Sequence, residues 1–209
     1  MTEEQQPSID DPAALRALYD APSELSQQKF LTELDSHCIA VIQHSSFYCL
    51  ATSHADGSLD VSPRGDPPGS VVVIDPKTLL LPDRRGNNRL DSLTNATQRP
   101  QVALLFLVPG VLETLRVSGT AEIVQDNTYL AATAIAGQTP TTGMLVRITK
   151  TCLQCGKAVK RSALWEDTYR IDRDRLASFG TMLADQTQTE QTAAELDQAI
   201  DDAYQNRLY

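Results

Sequence analysis

The chain has 209 residues, 41% hydrophobic and 22% charged, with 18 Lys and Arg against 27 Asp and Glu and a net charge of −9. That length suits one domain with terminal additions, and a core that needs neither disulfides nor metals. The acidic balance argues against a nucleic-acid binder and against a polybasic membrane surface, and no apolar run approaches the roughly 20 residues that span a bilayer.

The start, Met1-Thr-Glu-Glu-Gln-Gln, is polar and acidic and does not read as a secretory signal, so a cytoplasmic protein with reduced thiols is expected. Residues 1–10 read as disordered and residues 11–33 as short helices. There Asp11-Pro12 joins an N-cap to a first-turn proline, and Ala21-Pro-Ser-Glu24 restarts the pattern. Asp35 and Ser36 open a helix through Ile39, Val41 and Ile42 that ends near Ser45. Phe47 to Thr52 is a strand, His54-Ala-Asp-Gly57 a turn, and Ser58 to Ser62 the return strand. Pro63 to Gly69 reads as a rigid loop. Val71 to Ile74 and Thr78 to Leu81 form a second hairpin about Asp75-Pro76-Lys77.

A helix is predicted from Asn88 to about Thr97, ended by Arg99-Pro100. Gln101 to Val108 is apolar without alternation, which predicts a strand buried on both faces. Leu112 to Val124 alternates as a long strand, Asp126 caps a short helix through Ala134, and Met144 to Lys150 is the last strand. Residues 155–165 are helical again. From Arg173 the tail is helical and polar, with Leu176, Phe179, Met182 and Leu183 at helical spacing. Six to seven strands in short hairpins, with one helix crossing between strands four and five, predict a mainly β protein with α: a small antiparallel barrel with peripheral helices. The connections are too short for repeated βαβ units, and no dinucleotide fingerprint or P-loop is present.

The most informative segment follows the second hairpin. A Pro82-Asp83 break leads into Arg84, Arg85, Gly86, Asn87, Asn88 and Arg89, and then a helical pattern begins. That order gathers backbone N–H groups, a helix start and fixed positive charge in one place, which suits a phosphorylated small ligand. The alternative is a solvated loop with ordinary surface arginines. Thr114, Arg116 and Ser118 alternate onto one strand face and form a polar line suited to the edge of a planar ligand, or one that simply faces solvent.

Cys152 and Cys155 form a C-x-x-C, which read alone is half a zinc site, a redox pair or a structural coincidence. His37, His44 and His54 offer no partner pair at zinc-like spacing, so no metal is expected.

Residues 47–124 resemble the flavin-binding split barrel of the pyridoxamine 5′-phosphate oxidase-like superfamily. The likeness runs through the hairpin at 47–62, Ser62-Pro-Arg-Gly-Asp-Pro-Pro-Gly69, Asp83-Arg-Arg-Gly-Asn-Asn-Arg-Leu-Asp-Ser92, Arg99-Pro-Gln-Val-Ala-Leu-Leu-Phe106 and Val117-Ser-Gly-Thr-Ala121. Two of these phrases, 62–69 and 83–92, resemble one bacterial subgroup. The resemblance implies a six- to seven-stranded antiparallel split barrel over residues 46–165, between an N-terminal helical segment (1–45) and a C-terminal helical tail (166–209). It also implies a homodimer with two flavin mononucleotide (FMN) sites at the interface.

In such barrels the FMN phosphate is held at the strand-to-helix junction, where this chain has Asn88 and Arg89 with Arg84 and Arg85 adjacent. The resemblance places Thr114 against the flavin and Arg64 on the flavin-contacting loop. Arg64 is otherwise a loop arginine paired with Asp60 or Asp66. The family's C-terminal Trp-x-Arg signature has no match, so oxidation of pyridoxamine phosphate is not the implied activity.

Lys157, Arg161 and Trp165 fall at i, i+4 and i+8. On one helical face they would hold an anionic or planar substrate; alternatively Trp165 packs the helix on the barrel. The expected function is an FMN-dependent oxidoreductase that passes hydride or electrons from a reduced nicotinamide or similar donor to a small-molecule acceptor. The alternative is a non-catalytic flavin or ligand carrier or sensor.

Overall fold

The computed structural model describes residues 8–125 and 127–209, with Asn127 described by its backbone alone. Residues 1–7 of the segment expected to be disordered, and the cap expected at Asp126, lie outside the described residues. Contacts divide the chain into two compact units, Met1–Phe30 and Leu31–Tyr209. In the first, Asp11 caps α1 (Pro12–Ala17) by accepting from the N–H groups of Ala13 and Ala14, and Ser23 caps α2 (Glu24–Gln28). Both are as short as the proline spacing predicts.

The second unit opens with α3 (Ser36–His44), capped by Asp35, whose carboxylate accepts from Cys38 N–H at 2.8 Å. That bond holds the Asp35 carboxyl below its ordinary pKa. Seven strands follow: β1 (Phe47–Ser53), β2 (Leu59–Gly65), β3 (Val72–Asp75), β4 (Thr78–Pro82), β5 (Gln101–Leu107), β6 (Thr114–Val124) and β7 (Gly143–Gln154). They form one antiparallel sheet in the order β2-β1-β5-β6-β7-β4-β3. The sheet does not close: β2 and β3 are its edges, and the architecture is the expected mainly β split barrel with helices. One helix, α4 (Asp91–Gln98), crosses between β4 and β5, while α5 (Asn127–Ala131) lies between β6 and β7. After β7 come α6 (Lys157–Arg161), α7 (Phe179–Gln186) and α8 (Ala193–Asn206). A capping box of Thr192 and Glu195 starts α8.

The core lies inside the curved sheet. Leu79, Leu81, Phe106, Leu115, Val117 and Val146 are buried there, and α3 inserts Cys38 and Ile42. Burial also pushes the Cys38 thiol pKa up. Tyr48 and Phe106 meet with ring centroids 5.1 Å apart.

Two strands differ from their expected character. It is β4, not β5, that is buried along its whole length, because Leu80 joins a second cluster with Leu130 and Leu145 on the other face. On β5, Val102, Leu104 and Phe106 point inward, while Ala103 is exposed and Leu105 and Leu107 are half-buried. β2 also runs further than expected, through Pro63, Arg64 and Gly65. An edge strand has no neighbour to miss the N–H that proline lacks.

Residues opposite one another across an antiparallel sheet share a face. Arg64, Tyr48, Phe106 and Leu115 make one inward row, and Pro63, Cys49, Leu105 and Arg116 the adjacent outward row. The edge strand β2 therefore reverses the usual pattern. Its polar side chains Asp60, Ser62 and Arg64 face in, and Leu59 and Val61 stand outward at 80% and 64% exposure.

Candidate functional site

The inward polar face of β2 meets the loop after β4 across the split between the two ends of the sheet. Two ion pairs bridge this seam. Arg64 reaches Asp83 at 3.6 Å, and Arg84 Nε donates to Asp66 at 2.7 Å. The second pair is well covered, and Arg84 Nη2 also donates to the Thr133 carbonyl at 2.9 Å. Burial raises the Asp83 carboxyl pKa, although Arg64 and Arg84 pull the other way. Asp83 has this raised value because it stands in the wall of a cavity rather than in open solvent.

That cavity has a volume of about 650 Å³, and its wall includes Arg64, Arg84, Arg85, Gly86, Asn87, Asn88 and Arg89. Seven of the nine residues expected around the cofactor therefore come together. The helix behind them starts three residues later than expected. Asn88 and Leu90 both take left-handed backbone conformations, with φ of 59° each, so Arg89 lies in the loop and not in the helix. Asn87 supports this turn by accepting from Arg89 N–H at 3.1 Å. Leu90 occupies the cap position and supplies no side-chain acceptor to the first turn of α4. Left-handed leucine is uncommon, and strain of this kind gathers at ligand sites.

The arginines differ in what they are free to do. Arg89 pairs with Asp91 at 2.8 Å, Arg64 with Asp83 and Arg84 with Asp66, whereas among the described residues Arg85 makes no ion pair. Arg64 Nε is buried and, among the described residues, has no acceptor. Behind them sits a small hydroxyl relay. Ser62 Oγ lies 3.1 Å from Ser92 Oγ, which donates to Asp60 at 3.3 Å. Asn95, fully buried on α4, donates to Thr52 of β1 at 3.0 Å and fixes the helix to the sheet.

The other expected residues lie elsewhere. Thr114 and Arg116 stand on the outward face of the sheet, so one chain does not bring them to the arginine cavity. Lys157 and Arg161 are exposed on α6, which is five residues long. The helix expected over 155–165 stops because Ala163 turns left-handed, and this takes Trp165 off the Lys157/Arg161 face. The indole N–H of Trp165 donates to the Val111 carbonyl at 2.8 Å. None of these three lines the cavity. Cys152 is buried near the end of β7, which extends past its expected end at Lys150, while Cys155 is exposed; both are free thiols. Among the described residues no group of three or more His, Cys, Asp or Glu is arranged to hold a metal ion, and no helix is long and apolar enough to cross a membrane.

Several wall residues escaped the sequence reading. Asp60, Ser62 and Ser92 carry a signal only once β2 is known to be an edge strand with its polar side inward. Residues 138–141 and Tyr209 also line the cavity. Their distance in sequence from the arginine cluster hides them. Tyr209 O–H donates to Asp66 at 3.3 Å, and its ring lies under the Arg84 guanidinium, 5.7 Å from centroid to Cζ.

Comparison with known proteins follows the fold. Among solved structures, HupZ of Group A Streptococcus is 18% identical over 56% of this chain and 91% of its own, with a TM-score of 0.46. The FAD binding protein of Mycobacterium smegmatis is 20% identical over 59% and 97%, with a TM-score of 0.42. General Stress Protein 26 of Bacillus anthracis is 15% identical over 55% and 88%, with a TM-score of 0.43. No curated protein matches the chain. The sequence model described as pyridoxamine 5′-phosphate oxidase matches residues 34–150, a span that runs from just before α3 into β7 and takes in β2, the arginine loop and α4. The chain belongs to the pyridoxamine 5′-phosphate oxidase family.

Proposed function

We propose that this protein binds a flavin, FMN, with the phosphate at the arginine loop, and that it works as an oxidoreductase on a small molecule. The observation that carries the reading is the cavity itself. In a chain of net charge −9, four arginines line one cavity, and one of them, Arg85, has no carboxylate partner among the described residues. The fit is chemical. Arg85, Arg89 and the first turn of α4 suit a dianion. Arg64 Nε is a buried donor in want of an acceptor. Pro63, Leu90, Leu93 and Pro140 supply apolar wall, and the volume lies within the roughly 300–1,000 Å³ of small-molecule sites. Bound FMN would supply hydride and electron transfer through its ring system. The chain's own residues would hold the phosphate, orient the ring and keep water from it.

Assembly belongs to the same proposal. The outward face carries Phe47, Cys49, Ala51, Val61, Leu105 and Leu107, an apolar surface that one chain leaves partly open. A second copy packed there would cover it, and would give Thr114 and Arg116 a route to a ligand across the interface. Arg116 would then serve the cofactor, and Lys157 and Arg161 the substrate.

The test begins with the visible spectrum of the purified protein, where oxidised flavin absorbs in two bands. FMN and riboflavin titrations follow, because only FMN presents a phosphate. The carrier or sensor reading draws on a different observation: Asp60, Asp83 and Asp91 in the wall are tied to Ser92, Arg64 and Arg89. Each of these carboxylates is thus engaged with a partner, and Asp83 is the one whose pKa burial raises. Consumption of NADH or NADPH by the flavin-loaded protein would favour the oxidoreductase, and its absence with tight FMN binding the carrier.

A further inference from the structure

We propose that Tyr209 is a displaceable plug in the arginine cavity, and that an anionic ligand engaging Arg84 pushes it out. The proposal deepens the flavin reading and takes FMN as one probe, but it concerns any anion that enters the cavity. Tyr209 follows α8 and reaches the seam, where it touches both members of one ion pair. Its hydroxyl donates to Asp66 Oδ1 at 3.3 Å, while Arg84 Nε occupies Asp66 Oδ2 at 2.7 Å. Its ring lies 5.7 Å from Arg84 Cζ, so an electron-rich face and a carboxylate already share that guanidinium's charge.

The two kinds of contact differ in permanence. The Arg84–Asp66 pair is largely covered, at 16% and 9% side-chain exposure, and Thr133 anchors it further. Tyr209 is 38% exposed and Leu208, just before it, 57% exposed. Among the described residues, one long hydrogen bond and one ring contact hold the tyrosine in place. An arriving anion competes with the ring, which stands in the cavity wall, for Arg84. The weaker, more exposed group is the one that yields.

The experiment uses the full chain as wild type, Tyr209→Ala and Tyr209→Phe. Titration calorimetry measures two probes, FMN and inorganic pyrophosphate, and hydrogen–deuterium exchange follows the peptide covering 204–209. Loss of the ring contact should tighten both probes roughly 2- to 5-fold in Tyr209→Ala, with Tyr209→Phe in between, and either probe should raise exchange at 204–209 in the wild type. Weaker binding by Tyr209→Ala would overturn the plug and make the tyrosine part of the ligand's wall. Unchanged affinity, or exchange that falls on binding, would overturn it as well. If pyrophosphate behaves as expected and FMN binds to no variant, the plug stands and the flavin reading fails. If FMN and pyrophosphate bind equally to wild type and Tyr209→Ala, the plug fails and the flavin reading stands. If neither probe binds any variant, both are overturned.

Discussion

Arg85 and Arg89 should separate when each is replaced by alanine and FMN is compared with riboflavin. Arg85 lines the cavity without an ion-pair partner among the described residues, so its charge is available to a phosphate. A hydrogen bond to a charged group contributes about 1.5–3 kcal/mol net. Arg85→Ala should therefore weaken FMN by about 10- to 150-fold and leave riboflavin unaffected. Arg89 is engaged with Asp91, but its side chain is 72% exposed, and an exposed pair of this kind is worth about 0–1 kcal/mol. It can turn to a phosphate at little cost. Its removal also unmasks Asp91 beside the site. Arg89→Ala should thus weaken FMN by about 10-fold, again sparing riboflavin. Fluorescence quenching of each ligand at low and high salt measures both losses, and the FMN-specific part should shrink as salt screens the charges. Equal losses for FMN and riboflavin in both variants would refute the assignment of this loop to the phosphate.

Other outcomes follow from the fold and the proposed assembly. A Cβ at Gly119 would land on the Arg147 carbonyl at the β6 bulge; Gly119→Ala should cost about 3 kcal/mol or more, and an unchanged urea midpoint would contradict that packing. Asp35→Ala removes the α3 cap and should cost about 1 kcal/mol near neutral pH. Because the folded carboxyl pKa is lowered, that contribution is present above the unfolded pKa and fades as the pH falls through the folded one, so thermal melts of variant and wild type should converge in acid. Sedimentation should give twice the 22.9 kDa chain mass, and Val61→Asp, placed on the open apolar face, should yield monomers; a wild-type monomer that binds FMN tightly would rule out a shared site. Arg161→Ala should raise KM for an anionic substrate with FMN affinity intact, and loss of FMN instead would move Arg161 to the cofactor.

The sequence and the fold agree most where the signal is local. The strand at 47–52, the Asp56-Gly57 turn and the Asp35 cap each depend on a few neighbouring residues, and each element forms where it is expected. The arginine loop was legible for the same reason: its six residues, 84–89, are consecutive, and they line one cavity together. Long-range features were not legible. Pro63 suggested a loop because proline breaks a ladder, yet at a sheet edge there is no second ladder to break. The apolar runs 78–82 and 101–107 look alike, and only the docking of Leu130 decides which is buried on both faces. Nothing in the sequence pairs Arg64 with Asp83 or brings Tyr209 to Asp66. The helix expected from Asn88 starts only at Asp91, because Asn88 and Leu90 take left-handed backbone conformations that nothing in the local pattern announces.

The seam between the sheet ends also bears on how the chain folds. β5, β6 and β7 follow one another and pair in sequence order, whereas β1 must find β5 and β4 must find β7 across long stretches of chain. Such distant pairings are slow to close. The cavity takes one wall from the β1–β2 hairpin and the other from the loop after β4, so it exists only in chains that have completed both dockings. A ligand in it can therefore recognise only fully assembled molecules and shifts the population toward them by mass action. With the cavity empty, the hairpins at the two ends of the sheet would be the first parts to open and the first that proteases reach.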